Sequence, residues 1–326
     1  MLQAGNNWRP SASREALVYR ARLLGRIRAF FNERGFLEVQ TPLLADTTTS
    51  DPHVQSIVVD CMGQQMWLQT SPEQHMKRLL AAGVGDCYQI GTAMRGDEVG
   101  KHHNPEFTML EWYRLGQDLP GLMDECCALI DYVQEHQPKP AINCLSYTQA
   151  WQQHLPGNPH SMSAGELREL LPQDEQAQHK NLATDQLRDL LFAISIQPQL
   201  IQPVLIHSFP VDSCAMARQL REETPESGAE YMVAARCELY WKGLEVLNGY
   251  HELLDANELR QRYQQDCRIR QARAMPSVVP PRRLLAAMES GLPPCAGAAL
   301  GIDRLLMCLS GVDAIGRVMA FTFNSA

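Results

Sequence analysis

Apolar positions recur at helical spacing across residues 14–34, where Leu17, Leu24, Ile27, Phe30 and Phe31 share one face. Gly35 then supplies a left-handed stop. Residues 36–42 read as a short strand broken by Pro42, and 66–70 as a second strand. A helix follows, with Ser71 as N-cap, Pro72 at the first helical position and Gln74 closing a capping box. Its buried stripe is Met76, Leu79 and Leu80, and Gly83 ends it. Residues 86–92 predict a strand. Another begins at Phe107, and its alternation puts Phe107, Met109, Glu111 and Tyr113 on one face. Prolines punctuate residues 118–230, with helical stretches around 121–136, 164–171 and 182–196, so this segment reads as a helical insertion. Its polar cluster at 173–180 predicts a solvated surface. Residues 229–252 predict two strands joined at Trp241-Lys242-Gly243, and 259–274 a charged helix with a solvated face. A small-residue strand then runs through Gly301 into an apolar helix. Residues 1–13 are polar and read as a loose arm, leaving 14–326 as a single domain.

The chain has 326 residues, 45% of them hydrophobic and 20% charged, as in a globular protein with a sizeable core. No apolar run reaches the ~18 residues of a membrane span, and no signal-peptide pattern opens the chain. The ten cysteines include no Cys-x-x-Cys pair. They predict reduced cytosolic thiols rather than disulfides or a structural zinc site, hence a cytoplasmic protein. The net charge of −8 gives no basic footprint, which argues against tRNA or DNA as the main partner.

Candidate chemistry clusters at three places. Arg95, Gly96, Asp97 and Glu98 open a Gly/His/Asn/Pro loop ahead of the strand that begins at Phe107. An aromatic ring, an acid and a phenol on one strand face, beside a cationic loop, suit a planar base, a phosphate chain and an amine in a row. Arg304 falls in a first helical turn, where the helix dipole opposes a cation, so a polyanion such as a triphosphate would be a better partner. Glu245 and Glu252 can hold Mg²⁺ through oxygen ligands. Seven residues apart, they would lie on opposite faces of a regular strand, so the intervening Asn248-Gly249 must bend or bulge it. Arg95 and Arg304 would neutralise the phosphates of ATP, and Phe107 would stack on adenine. Glu73, Glu111 and Tyr113 would bind ammonium groups. The reaction that fits is attack of a substrate carboxylate on the α-phosphorus, giving an acyl-adenylate and pyrophosphate through positioning and charge neutralisation.

These segments, in this order, resemble class II lysyl-tRNA synthetases. Residues 14–42 resemble motif 1, the Thr-Ser-Pro-Glu of residues 70–73 resembles the amino-acid-contacting segment, 95–113 motif 2 and 297–304 motif 3. The resemblance covers roughly residues 14–115 and 230–322, and residues 103–111, His-Asn-Pro-Glu-Phe-Thr-Met-Leu-Glu, carry most of its specificity. It implies an α+β catalytic domain with an antiparallel sheet flanked by helices, and a homodimer built through motif 1. It implies substrate contacts at Ser71, Pro72, Glu73, Tyr113 and Glu252, and ATP contacts at Arg95, Gly96, Asp97, Asn104, Glu245, Val246 and Gly301. Phe107 and Arg304 match the adenine-stacking and phosphate-binding positions.

A lysyl-tRNA synthetase of this class carries an anticodon-reading barrel before motif 1. Here motif 1 begins near residue 14. The chain therefore resembles the truncated lysyl-tRNA synthetase paralogues, as do Glu111-Trp112-Tyr113-Arg114 and Ala299, where synthetases carry glycine. That resemblance implies an AMP-forming ligase joining (R)-β-lysine to a lysine of translation elongation factor P. Two departures stand out: Arg95-Gly96-Asp97 replaces the family's Arg-Asn-Glu, and Thr92 replaces an arginine. Two other readings are a synthetase-like fragment acting on tRNA and a non-catalytic amino-acid or nucleotide sensor. Intact Arg95, Arg304, Glu245 and Glu252 argue against the sensor.

Overall fold

The computed structural model describes residues 8–96, 98–134, 139–223 and 230–326. Ser13 opens α1 (Arg14–Glu33) by accepting from the Ala16 N–H at 3.2 Å. Gly35, at φ +77°, carries the chain away from it. The strands are β1 (Leu37–Glu38), β2 (Leu44–Ala45), β3 (Val58–Cys61), β4 (Gln64–Leu68), β5 (Cys87–Met94) and β6 (Glu106–Leu115). They continue with β7 (Asn143–Ser146), β8 (Val204–Pro210), β9 (Gln219–Glu223), β10 (Glu230–Trp241), β11 (Leu244–His251) and β12 (Cys295–Gly301). The remaining helices are α2 (Glu73–Ala81), α3 (Leu119–Val133), α4 (Tyr147–Gln152), α5 (Ala164–Glu169) and α6 (Gln173–Gln178), then α7 (Thr184–Leu191), α8 (Ala256–Ala272), α9 (Arg282–Glu289) and α10 (Ile302–Ser310).

The main sheet runs β1-β5-β6-β12-β11-β10-β8-β7, with β9 also paired to β10. It is antiparallel except at its edges, where β1 joins β5 and β7 joins β8 in parallel. A small sheet, β2-β4-β3, stands beside it. One face of the main sheet is apolar. Leu110, Leu300, Leu247 and Leu239 form one cross-strand row, and Trp112, Ala298, Gly249 and Cys237 the next. Helices α1, α3 and α10 cover these rows with Leu23, Ile27, Phe30, Leu122, Leu129 and Leu305, all fully buried. The alternation that buries this face aims the other set of side chains at the opposite face, where the site lies.

Three expectations change. Leu17 is only half-buried, and Leu23 takes the core position instead. The capping box at α2 does not form. Ser71 Oγ accepts from the Glu73 N–H at 3.2 Å, but Gln74 Nε2 donates to the Thr48 carbonyl at 3.1 Å. Residues 118–230 are not purely helical, because β7, β8 and β9 extend the main sheet. The apolar run of β8 is bounded by Pro203 and Pro210, and a run that short has no period to separate strand from buried helix. A second apolar cluster, with Tyr147, Trp151, Leu187 and Phe192, packs against Ile206 and Phe209 of β8 and Tyr240 of β10. The Gln173–Gln178 helix buries no residue, as its composition predicts.

Candidate active site

The polar face of the sheet floors a cleft of about 680 Å³. Strand register alone dictates the floor. Arg236, Tyr250, Gly297 and Tyr113 form one cross-strand row, and Glu238, Asn248, Ala299 and Glu111 the next. Phe107 and Met109 continue the β6 face along the same cleft. Gly297 is required here, since a Cβ would lie 2.3 Å from Tyr113 Cδ1 and 2.8 Å from the Trp112 carbonyl. The expected distortion of β11 exists, but not at Asn248-Gly249. Leu239 pairs with Leu247 and Tyr240 with Glu245, so Val246 is the extra residue of a bulge. That residue shifts the alternation and lets Glu245 and Glu252 both line the cleft. Gly249 serves the core instead, where a Cβ would meet Leu122 Cδ2 at 3.0 Å and Cys237 Sγ at 3.1 Å.

At one end of the cleft, three acids converge on a buried cation. Lys77 Nζ, fully buried, lies 2.6 Å from Glu73 Oε1 and 2.6 Å from Glu252 Oε2. Tyr113 Oη donates to Glu111 Oε1 at 2.7 Å, and Glu111 Oε2 is buried without a hydrogen-bond partner. Burial pushes the Glu111 carboxyl up to about 8, aided by the Glu73 charge and opposed by the Tyr113 hydroxyl and Lys77. Burial likewise raises Glu252 to about 8, against the pull of Lys77. For Lys77, burial favours the neutral amine, but the charges of Glu252 and Glu73 outweigh it and hold the ammonium above its ordinary value. A pocket rich in buried acceptors recognises ammonium groups, which supply both charge and donors.

At the other end, cations face the cleft without full compensation. The Arg95 guanidinium lies 5.2 Å from the Phe107 ring centre and 3.4 Å from Glu98, and its Nε is buried without a partner. Arg304 Nη1 donates to the Glu245 carbonyl at 2.9 Å, and Nη2 lies 2.6 Å from His103 Nε2. Arginine can only donate, so that imidazole nitrogen accepts and carries no proton. Among the described residues, no carboxylate pairs with Arg304. Its neighbour Asp303 is structural, binding Arg20 of α1 at 2.5 Å and the Thr108 N–H at 2.7 Å.

Most of the sequence-derived residues meet in this cleft: Ser71, Glu73, Arg95, Asn104, Phe107, Glu111, Tyr113, Glu245, Val246, Glu252, Gly301 and Arg304. Two do not. Pro72 lines a separate groove with Thr92, and Gly96 packs against Gln55. Asp97 lies outside the described residues. Asn104 lines the cleft, but its amide is engaged at both ends, with the Glu106 carbonyl and the Phe323 N–H. Both acids expected for Mg²⁺ line the cleft. Glu252 meets Lys77, and Glu245 stands where its backbone carbonyl accepts from Arg304. Burial raises Glu238, Arg236 opposes this, and the Glu245 charge adds to it. Sequence reasoning missed Lys77, Arg236, Glu238, Asn248 and Tyr250. The last four were accessible by counting back in twos from Glu252 and pairing across the Lys242-Gly243 turn.

The family model for class II (D, K and N) tRNA synthetases matches residues 6–325. An elongation factor P–(R)-β-lysine ligase of Klebsiella pneumoniae subsp. pneumoniae is 42% identical, over 98% of each chain. One of Salmonella paratyphi B is 41% identical, again over 98% of each. The chain belongs to the class II (D, K and N) tRNA synthetase family.

Proposed function

We propose that this protein activates (R)-β-lysine with ATP as an acyl-adenylate and transfers the β-lysyl group to a lysine of translation elongation factor P. The observation that carries this reading is the junction, in one cleft, of an acid-lined buried pocket with two under-compensated arginines and Phe107. The near full-length relatives named as ligases of this kind support the choice of acceptor. Glu73, Glu111 and Glu252 receive the two ammonium groups, and Tyr113 orients Glu111. The substrate carboxylate faces Arg95. Arg95 and Arg304 stabilise charge developing on the phosphates as the carboxylate oxygen attacks the α-phosphorus and pyrophosphate leaves. The acceptor amine then attacks the acyl carbonyl, and AMP departs.

Glu245, whose backbone carbonyl holds Arg304, lines the cleft and would supply a hard oxygen donor there, which suits Mg²⁺ held by one or two carboxylates plus phosphate and water oxygens. Such an ion would neutralise phosphate charge there. A homodimer through residues 14–42 is part of the same reading, supported by the exposure of Leu37 and Leu43. So is a cytoplasmic location; among the described residues, no helix is long and apolar enough to cross a membrane.

The test offers purified protein, ATP, Mg²⁺ and labelled α- or β-lysine to either elongation factor P or bulk tRNA. Label from β-lysine is expected on elongation factor P. Label on tRNA alone, or on neither acceptor, would overturn the assignment.

A further inference from the structure

We propose that Lys77 is a positioning residue of the amine pocket: a built-in counter-ion that fixes Glu73 and Glu252 and matches the pocket's charge to a substrate with two ammonium groups. The inference rests on the amine-pocket reading above and deepens it. Lys77 is fully buried and bridges an acid of its own helix, Glu73, and Glu252 just beyond β11, at 2.6 Å each. A lysine four residues after a glutamate is ordinarily a surface pair of small consequence. Here the ammonium has left water entirely, which is costly unless both the charge and its hydrogen bonds are met. The pocket therefore holds three carboxylates against one fixed ammonium. Once a bound ligand draws all three into the ionised form, the surplus of two negative charges equals the charge of two substrate ammonium groups.

Three acids face Lys77: Glu73 from α2, Glu252 just beyond β11 and Glu111 from β6, and burial raises the last two. Tyr113 of β6 and Cys295 of β12 also face it, and burial raises both, so they remain protonated there. Arg218 donates its Nε–H to the Glu252 carbonyl at 2.8 Å. Without the Lys77 charge, Glu111 loses a cation that now opposes the effect of burial on its carboxyl. That carboxyl would then ionise only at higher pH, Glu73 and Glu252 would lose the ammonium that fixes them, and a diammonium ligand would find a less ordered and less charged pocket at neutrality. A residue that served only packing would leave this pH dependence where it is.

The experiment measures the affinity for lysine isomers by calorimetry across pH, without ATP, in the wild type, Lys77→Met and Lys77→Ala. Methionine fills the space of the lysine stem and decides the matter alone if the alanine variant does not fold. At pH 7 the Met variant should bind β-lysine roughly tenfold or more weakly, the scale of one charge-assisted hydrogen bond, with the loss shrinking as pH rises. Added ethylammonium, which supplies the deleted cation, should restore binding to Lys77→Ala and leave the wild type unchanged. A loss equal at every pH and indifferent to ethylammonium would reduce Lys77 to a packing residue, and unchanged affinity would remove it from recognition. Pyrophosphate exchange by the wild type tests the activity reading separately, so failure of one does not pass for failure of the other.

Discussion

Arg304 and Ala299 put the site to the sharpest test at the level of single side chains. Arg304 stands in the first turn of α10, where the helix dipole opposes a cation, and it is held by a backbone carbonyl and a neutral imidazole. Neither partner cancels its charge, which leaves it free to meet an anion. Arg304→Ala should therefore abolish pyrophosphate exchange in a protein whose circular dichroism matches the wild type. Near wild-type exchange in the folded variant would remove Arg304 from the mechanism. Ala299 lies in register between Asn248 and Glu111, with its methyl on the cleft floor. If that methyl helps exclude α-lysine, Ala299→Gly should raise the use of α-lysine relative to β-lysine. One methyl in a pocket is worth ~1–3 kcal/mol, so the ratio of kcat/KM values should move roughly ten- to two-hundred-fold. An unchanged ratio would assign discrimination to Glu73 or Tyr113 instead.

Among elements, the β6–β12–β11 ladder sets the geometry, and Gly297 is its most constrained point. A methyl there would collide with the ring of Tyr113, so Gly297→Ala should displace that ring and break its 2.7 Å bond to Glu111. Overpacking of this kind costs about 1–3 kcal/mol. The expected result is a raised KM for the amino acid and a lowered Tm, with KM for ATP little changed; equal damage to both substrates would mean that the whole sheet had shifted. The strands of this ladder were legible from the chain alone, but their order across β12 was not. Its strands alternate cleanly, and the small residues of β12 signal close approach to the floor. Even the need for an irregularity in β11 followed from the seven-residue spacing of Glu245 and Glu252. Its location did not follow, because Val246 carries no glycine-like signal and Gly249 is small for the sake of Leu122. The β7–β9 additions were hidden for a related reason. They are short or proline-bounded, and tertiary pairing decides their state: β7 is fixed by β8, far along the chain, and β8 and β9 by β10. Lys77 was illegible because its local context is that of an exposed helix pair, and only the approach of Glu252 from β11 buries it.

For the whole molecule, the burial that shapes the amine pocket links ligand binding to protons. Glu111 and Glu252 are both raised to about 8 from the ordinary glutamate value of 4.5. A carboxyl raised in the folded state contributes stability that is fully present below pH 4.5 and is lost as pH rises through about 8. The unliganded protein should thus lose stability across that window, as two buried acids are forced towards ionisation without enough cations beside them. A diammonium ligand reverses the preference, since its charges favour the carboxylates. Binding of β-lysine at pH 7 should therefore expel protons, up to about two per site, and the number should fall towards zero by about pH 9, where both acids are already ionised. Calorimetry in buffers of different ionisation enthalpy counts these protons directly. A proton-neutral binding event at pH 7 would mean that Glu111 and Glu252 are already charged in the empty pocket, held so by Lys77 and Tyr113 more strongly than burial opposes them.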